Sequence, residues 1–343
     1  MAQLALASWA SSRRIAPLPL FLVSFIISLL VFRSSSSTLY TPGTSALYAP
    51  PAQPTSSPPI QNTLVIPTFR ERPNLAPLVE AIFGALPKAM AEETEVLIVD
   101  DDSRDGTEEE VERLASVGWR VGVLTRRGER GLSGAVLRGF ERARGSRLLV
   151  MDADLQHPPS AIPELLEALT ERTPMALGTR YGDGVSMAAG WPLHRRIISW
   201  GARILARPLT SASDPMSGFF AIRKDTFMRS QPVSTAGFKL ALELLLKAPD
   251  ASPPAEVAYS FGLRTSGSSK LGAKVMLRYV LQLAALYRWR VGLLWHLAVA
   301  ALVTAAGMGA NRLRKLRGGS RGEEAWSLPM HGVGRGRTRV RIE

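Results

Sequence analysis

The residues best placed to do chemistry are the aspartates of Met151-Asp152-Ala153-Asp154-Leu155-Gln156-His157-Pro158 and of Val99-Asp100-Asp101-Asp102-Ser103, about fifty residues earlier. Each set follows directly on an apolar run, Leu148 to Met151 and Val96 to Val99. Such runs read as buried parallel strands, and open α/β sheets bind ligands at the carboxyl ends of their strands. The side-chain period of two sends both carboxylates of an Asp-x-Asp to the same side. Two hard oxygen donors facing one cleft suit Mg²⁺ or Mn²⁺ bridging a substrate diphosphate, as an enzyme handling nucleotide-sugars requires.

The elements that must position these acids can be read on either side of them. Thr63 opens the globular part, and Leu64-Val65-Ile66-Pro67 reads as a short strand running into a loop. Helical apolar spacing covers Asn74–Leu86, and a strand covers Val96–Val99. A helix over Thr107–Val117 carries Glu108, Glu109 and Glu110 at its positive end. Strand Val121–Leu124, helix Ser133–Arg144, strand Arg147–Met151, helix Pro163–Thr170 and strand Met175–Gly178 follow. This alternation predicts an α/β fold with a mostly parallel, Rossmann-like sheet and right-handed crossovers. Beyond it the pattern loosens into loops and helices through residue 265.

The 343 residues suffice for one large α/β domain with appendages. The chain has no cysteine, which excludes a disulfide framework, a thiolate zinc site and a cysteine nucleophile. Its formal charge of +13 does not point to nucleic acid, because no nucleic-acid-binding motif accompanies it. Residues 311–343 hold nine Lys/Arg against three Glu, and a basic tail behind an apolar segment suits anionic lipid headgroups. His157, His194, His296 and His331 show no metal spacing and no Ser/His/Asp arrangement.

Composition divides the chain further. Residues 1–33 form an N-terminal hydrophobic segment, charge-free from Ile15 to Phe32. It reads as an anchor, a signal-like segment or a start assigned too early. Residues 34–62, rich in Ser, Pro and Thr, read as a disordered linker. The catalytic domain is expected over 63–273. Residues 274–290 are expected to form an amphipathic helix at a membrane surface. Residues 291–310, whose one ionisable side chain is His296, are expected to span the membrane before the tail of 311–343.

The motifs Ile66-Pro67-Thr68-Phe69-Arg70-Glu71, Asp100–Thr107 and Asp152–Pro158 resemble the family-2 inverting glycosyltransferases of the GT-A, nucleotide-diphospho-sugar fold. Four more narrow the resemblance: Gly178-Thr179-Arg180-Tyr181, Arg195–Ser199, Asp214–Phe220, and Phe261–Arg264 with Gly267–Gly272. Together they resemble the branch acting on dolichyl phosphate, over roughly residues 63–290 and in a single-chain form with a C-terminal anchor. That resemblance implies inverting transfer of mannose from GDP-mannose, giving a mannosyl donor for N-glycan, O-mannosyl and GPI-anchor synthesis. It implies a catalytic domain facing the cytosol at the endoplasmic reticulum membrane. Accessory subunits of a synthase complex stay open as partners, though an anchor of the chain's own makes dependence on them less expected.

The resemblance also implies roles for individual residues. Pro67, Phe69, Glu71, Ile98, Asp100, Asp101, Asp152, Ala153, Arg264 and Lys270 fall where the family holds the nucleotide. Asp152, Asp154 and Gln156 match its metal and diphosphate cluster. Arg180, Arg195 and Ser199 match positions facing the acceptor phosphate, a task suited to a guanidinium's bidentate fork. A phosphomonoester is already anionic at neutral pH, so the attacking oxygen needs no general base, and no strong candidate for one is apparent. Asp102, Ser103 and Asp105 also suit a solvated loop or a helix cap. Two departures stand out. Arg70 replaces the family's usual Asn, and Asp102 its usual Gly or Asn, which calls for a conformation tolerating left-handed backbone. A sibling enzyme using UDP-glucose, and a non-catalytic membrane scaffold, are the alternative readings.

Overall fold

The computed structural model describes residues 39–42, 58–181, 185, 193–235, 237, 239–262 and 273–292, with scattered positions between 294 and 309. At 193–197 and 273–274 it describes the backbone alone. The described residues between Leu39 and Gly292 belong to one compact unit. Its strands are β1 (Leu39–Tyr40), β2 (Asn62–Thr68), β3 (Thr94–Asp100), β4 (Val121–Thr125), β5 (Arg147–Val150), β6 (Met175–Thr179), β7 (Phe220–Arg223), β8 (Val233–Ser234) and β9 (Ala255–Ala258). Its helices are α1 (Arg72–Ala85), α2 (Lys88–Glu92), α3 (Thr107–Ser116), α4 (Leu132–Arg142), α5 (Ile162–Glu167), α6 (Leu193–Ala206), α7 (Lys224–Met228), α8 (Leu240–Lys247) and α9 (Ala273–Val291).

Seven strands form one sheet in the order β4-β3-β2-β5-β7-β6-β9. All run parallel except β7, which is antiparallel to both β5 and β6. The middle strands are apolar on both faces because helices cover both. Leu75, Leu78, Ile82, Leu114 and Ile162 pack one side, and Val136, Phe140, Phe227 and Leu244 the other. A smaller cluster joins Ala206 of α6 to Leu242 of α8 and to Tyr279, Leu283 and Leu286 of α9. The register of β2 against β3 sets Thr68 opposite Asp100, so the predicted acids gather where parallel strands end.

Helix α4 approaches β2 and β3 more closely than a side chain allows. A Cβ on Gly139 would lie 2.4 Å from a Val65 methyl and 3.0 Å from a Val99 methyl. Gly139→Ala is therefore expected to cost about 1–3 kcal/mol through overpacking, read as a fall in the denaturant midpoint.

From β2 to β6 each expected element is observed with its ends within three residues, while the short helix α2 was not expected. Past that point the sequence pattern missed β7 and β9, each four residues long. The linker expected over 34–62 differs as well. Leu39 and Tyr40 pair antiparallel with Ser234 and Val233. Tyr40 makes this contact worthwhile by stacking on Phe227, with ring centroids 6.3 Å apart. The expected span over 291–310 lies mostly outside the described residues, and among those described no helix is long and apolar enough to cross a membrane.

Candidate active site

Strand β5 delivers its chain into the turn Asp152–Pro158, and three features hold that turn. The Asp152 N–H donates to Nδ1 of His157 at 3.2 Å. The Gln156 N–H donates to Oδ1 of Asp154 at 3.2 Å. Leu155 sits between them at φ 60, a left-handed conformation costly for an aliphatic side chain and one that persists only where surrounding contacts enforce it. His157 is buried against Phe219, 5.0 Å between ring centroids, with Tyr259 and Phe261 edge-on. Burial brings its imidazole down to about 3, so it is neutral and can accept from Asp152. His157, which has no metal spacing in the sequence, serves instead as the anchor of the acidic turn. Ala153 is buried in the core beneath it.

A cavity of about 260 Å³ opens beside the turn. Asp152, Gln156, Arg180 and Ser199 all line it, so four of the predicted site residues converge. Arg180 is held in a fork: its Nε and Nη2 donate to the two carboxylate oxygens of Asp214 at 2.7 and 3.0 Å. Asp214 is wholly buried, and its role as the partner of Arg180 was not foreseen. Lys239 lines the same cavity and was also not foreseen. Burial, and then neighbouring Arg180, lowers its amine to about 8. The remaining wall is apolar, with Leu132, Val136, Ala202, Leu240, Met276 and Tyr279. Arg195 lies on α6, which also carries Ser199, but its side chain is outside the described residues, as are Arg264 and Lys270.

The acids after β3 are engaged by their own loop. Asp100 accepts the Ser103 N–H at 2.7 Å and the Ser103 hydroxyl. Asp101 pairs with Arg126 at 2.6 Å and accepts the Gly131 N–H at 2.7 Å. Burial nevertheless pushes the Asp101 carboxyl above its usual range. Asp105 accepts the Thr107 N–H and hydroxyl just ahead of α3, but the cap position itself is taken by Gly106 and not by an acid, and Asp102 pairs with exposed Arg104. A second cavity, of about 650 Å³, lies at this end of β3 and β4, lined by Asp100, Asp102, Thr107, Thr125 and Arg127 among others.

Pro67, within β2, and Phe69 and Glu71, just after it, line neither of these cavities. The guanidinium groups of Arg70 and Arg130 lie over the Phe69 ring at 5.3 and 4.8 Å. Glu71 accepts the Asn74 side-chain amide at 2.7 Å near the start of α1. Ile98 is fully buried in the core within β3. Both departures from the resembled family lie in left-handed backbone, Arg70 at φ 59 and Asp102 at φ 55. Exposed Arg70 is held there by its N–H, which donates to Ser103 Oγ at 2.8 Å. Arg70→Asn keeps that bond and suits left-handed backbone better, so it is expected to stabilise the fold by about 1 kcal/mol, read as a raised denaturant midpoint.

The family model for glycosyl transferase family 2 matches residues 63–230. The dolichol-phosphate mannosyltransferase of Mycosarcoma maydis is 55% identical over 67% of this chain and 80% of its own length. That of Saccharomyces cerevisiae is 47% identical over 67% of this chain and 88% of its own. A glucosyl-3-phosphoglycerate synthase of Mycobacterium tuberculosis, solved with Mn²⁺, UDP-glucose and phosphoglyceric acid, superposes with a TM-score of 0.51. It is 18% identical and covers 66% of this chain and 79% of that one, a likeness of fold alone. At 55% and 47% identity over aligned stretches that take in 80% and 88% of those relatives, the chain belongs to the dolichol-phosphate mannosyltransferases of glycosyl transferase family 2.

Proposed function

We propose that the chain transfers mannose from GDP-mannose to dolichyl phosphate with inversion, releasing GDP and dolichyl β-mannosyl phosphate. One observation carries the reading. A single cavity is lined by Asp152 and Gln156, by Arg180, Lys239 and Ser199, and by apolar residues that include Ala202 of α6 and Met276 of α9. Those are the kinds of group that a sugar diphosphate, a phosphate acceptor and its attached hydrocarbon would need. The relatives' names support the same transferred sugar and the same acceptor.

The donor set fits a divalent cation. Asp152 and Asp154 offer carboxylates and Gln156 an amide oxygen, all hard ligands, in a turn fixed by the two hydrogen bonds from backbone N–H groups. When bound, Mg²⁺ or Mn²⁺ would neutralise the departing diphosphate. Arg180, aimed by Asp214, would hold the acceptor phosphate with Ser199, and Arg195 is assigned to the same task. Alignment and charge stabilisation then suffice, because the phosphate oxygen arrives already ionised. Neutral His157 keeps the turn in place and moves no proton.

We assign the working site to the cytosolic face of the endoplasmic reticulum membrane. Trp200, Ile204 and Leu205 of α6 and Leu277, Val280, Leu281 and Trp289 of α9 are exposed large apolar side chains. The two helices are joined, the Tyr279 and Tyr287 hydroxyls donating to the carbonyls of Ala202 and Leu205, each at 2.7 Å. Arg278, Arg288 and Arg290 flank the apolar positions, as an interfacial helix on anionic lipid requires.

The test uses detergent-solubilised protein, dolichyl phosphate and Mn²⁺ with radiolabelled GDP-mannose or UDP-glucose. Label entering the organic phase from GDP-mannose alone is expected. Label from UDP-glucose alone would move the chain to the glucosyl sibling. Transfer from neither by folded protein would favour a required partner subunit or a scaffold.

A further inference from the structure

Lys239 lines the acceptor cavity beside the acidic turn, yet no motif in the sequence drew attention to it. Its Nζ donates to the Met216 carbonyl at 2.7 Å, and Asp152, Arg180 and Asp214 are the charges it feels. A buried ammonium is costly unless opposite charge balances it. Asp214 is already paired with Arg180. Lys239 and Arg180 thus bring two cationic side chains to one cavity, the arrangement that recognition of a phosphate calls for.

The backbone of Lys239 is held from an unexpected direction. Gln282, on α9, accepts the Lys239 N–H on its Oε1 at 3.0 Å, and its Nε2 donates to the Lys239 carbonyl at 3.3 Å. One carboxamide thus clamps both peptide groups of one residue. The same Nε2 donates to Glu243 Oε2 at 3.1 Å. Glu243, buried in α8, accepts the Ser234 N–H at 2.9 Å and the Lys247 ammonium at 2.6 Å on its other oxygen. From the opposite side, the Ser133 hydroxyl donates to the Gly237 carbonyl at 2.5 Å. So much hydrogen bonding around so short a loop fixes where one side chain points.

We propose that Lys239 is a phosphate-contacting residue of the acceptor pocket and that Gln282 of α9 is the residue that positions it. The assignment rests on the mannosyl-transfer reading, and makes the helix carrying the exposed apolar face a structural determinant of the cation that receives the lipid's phosphate. Gln282 never touches substrate; it acts through the Lys239 backbone.

The test is steady-state kinetics on full-length protein with GDP-mannose and dolichyl phosphate varied separately, for wild type, Lys239→Met, Lys239→Arg, Gln282→Leu and the Lys239→Met/Gln282→Leu double variant. Thermal melts and GDP binding certify folding. Lys239→Met is expected to raise KM for dolichyl phosphate about tenfold or more and leave KM for GDP-mannose within about twofold. Lys239→Arg is expected to recover most of that loss. Gln282→Leu should move the same KM in the same direction, and the double variant should lose little beyond Lys239→Met. An unchanged acceptor KM in folded Lys239→Met, or a shift confined to GDP-mannose, would overturn the contact. Additive losses in the double variant would overturn the positioning role. Wild-type protein inactive on this pair of substrates would instead defeat the mannosyl-transfer reading, before any variant is compared.

Discussion

Asp154→Asn is expected to lower mannose transfer by about a thousandfold or more while the protein stays folded. The side chain is buried at the tip of the acidic turn, where its Oδ1 accepts the Gln156 N–H. Asparagine keeps an oxygen in that place, so the turn survives while the charge is lost. A cation that neutralises a leaving diphosphate supplies several kcal/mol, and each 1.36 kcal/mol is about tenfold in rate. Asp154→Ala should be equally inactive and somewhat less stable. Chelation of wild-type protein should mimic the variant, and added Mn²⁺ should restore wild type alone. Radiolabel transfer beside a thermal melt checks each point, and activity in the folded Asn variant would remove Asp154 from the metal set.

Asp214→Ala has the second large expected effect, on stability as well as activity. Its carboxylate takes the Arg180 Nε and Nη2, in a pair whose side chains are 1% and 11% exposed. Removing it strands a buried guanidinium, which costs about 3–5 kcal/mol. For a domain of this size the melting temperature should fall by about 10 °C. Transfer should fall too, because Arg180 loses its aim into the cavity. Arg180→Met at the same site removes the charge along with its partner's task. The double variant Asp214→Leu/Arg180→Met should therefore melt higher than Asp214→Ala while remaining inactive. If Asp214→Ala melts like wild type, the pair is not the brace inferred here.

Much of this was legible because it depends on short-range periodicity. The apolar runs before Asp100 and Asp152 are β3 and β5, and parallel pairing leaves both acids at strand ends. What escaped was long-range. Arg180 and Asp214 are 34 residues apart, and only the antiparallel insertion of β7 between β5 and β6 draws their segments together. Lys239 sits at the start of α8 like any helix-flanking lysine, and its importance comes from α9, 43 residues on. His157 shows no ligand spacing because its task is to accept a backbone N–H and fill an aromatic box. β7 and β9 were missed because four residues carry too little alternation to separate a buried strand from a loop.

The walls of the acceptor cavity have a kinetic consequence. Ile198 and Ala202 of α6 and Met276 and Tyr279 of α9 line it from within, and both helices turn large apolar side chains outward. On the reading proposed above, the acceptor never crosses water to reach its pocket. It arrives by lateral diffusion, and its effective concentration is a mole fraction in the bilayer. Adding inert lipid at constant total acceptor should then slow the reaction, whereas diluting the whole suspension should not. The saturation constant for the lipid becomes a property of the membrane's composition, and that for the nucleotide-sugar remains one of the surrounding solution.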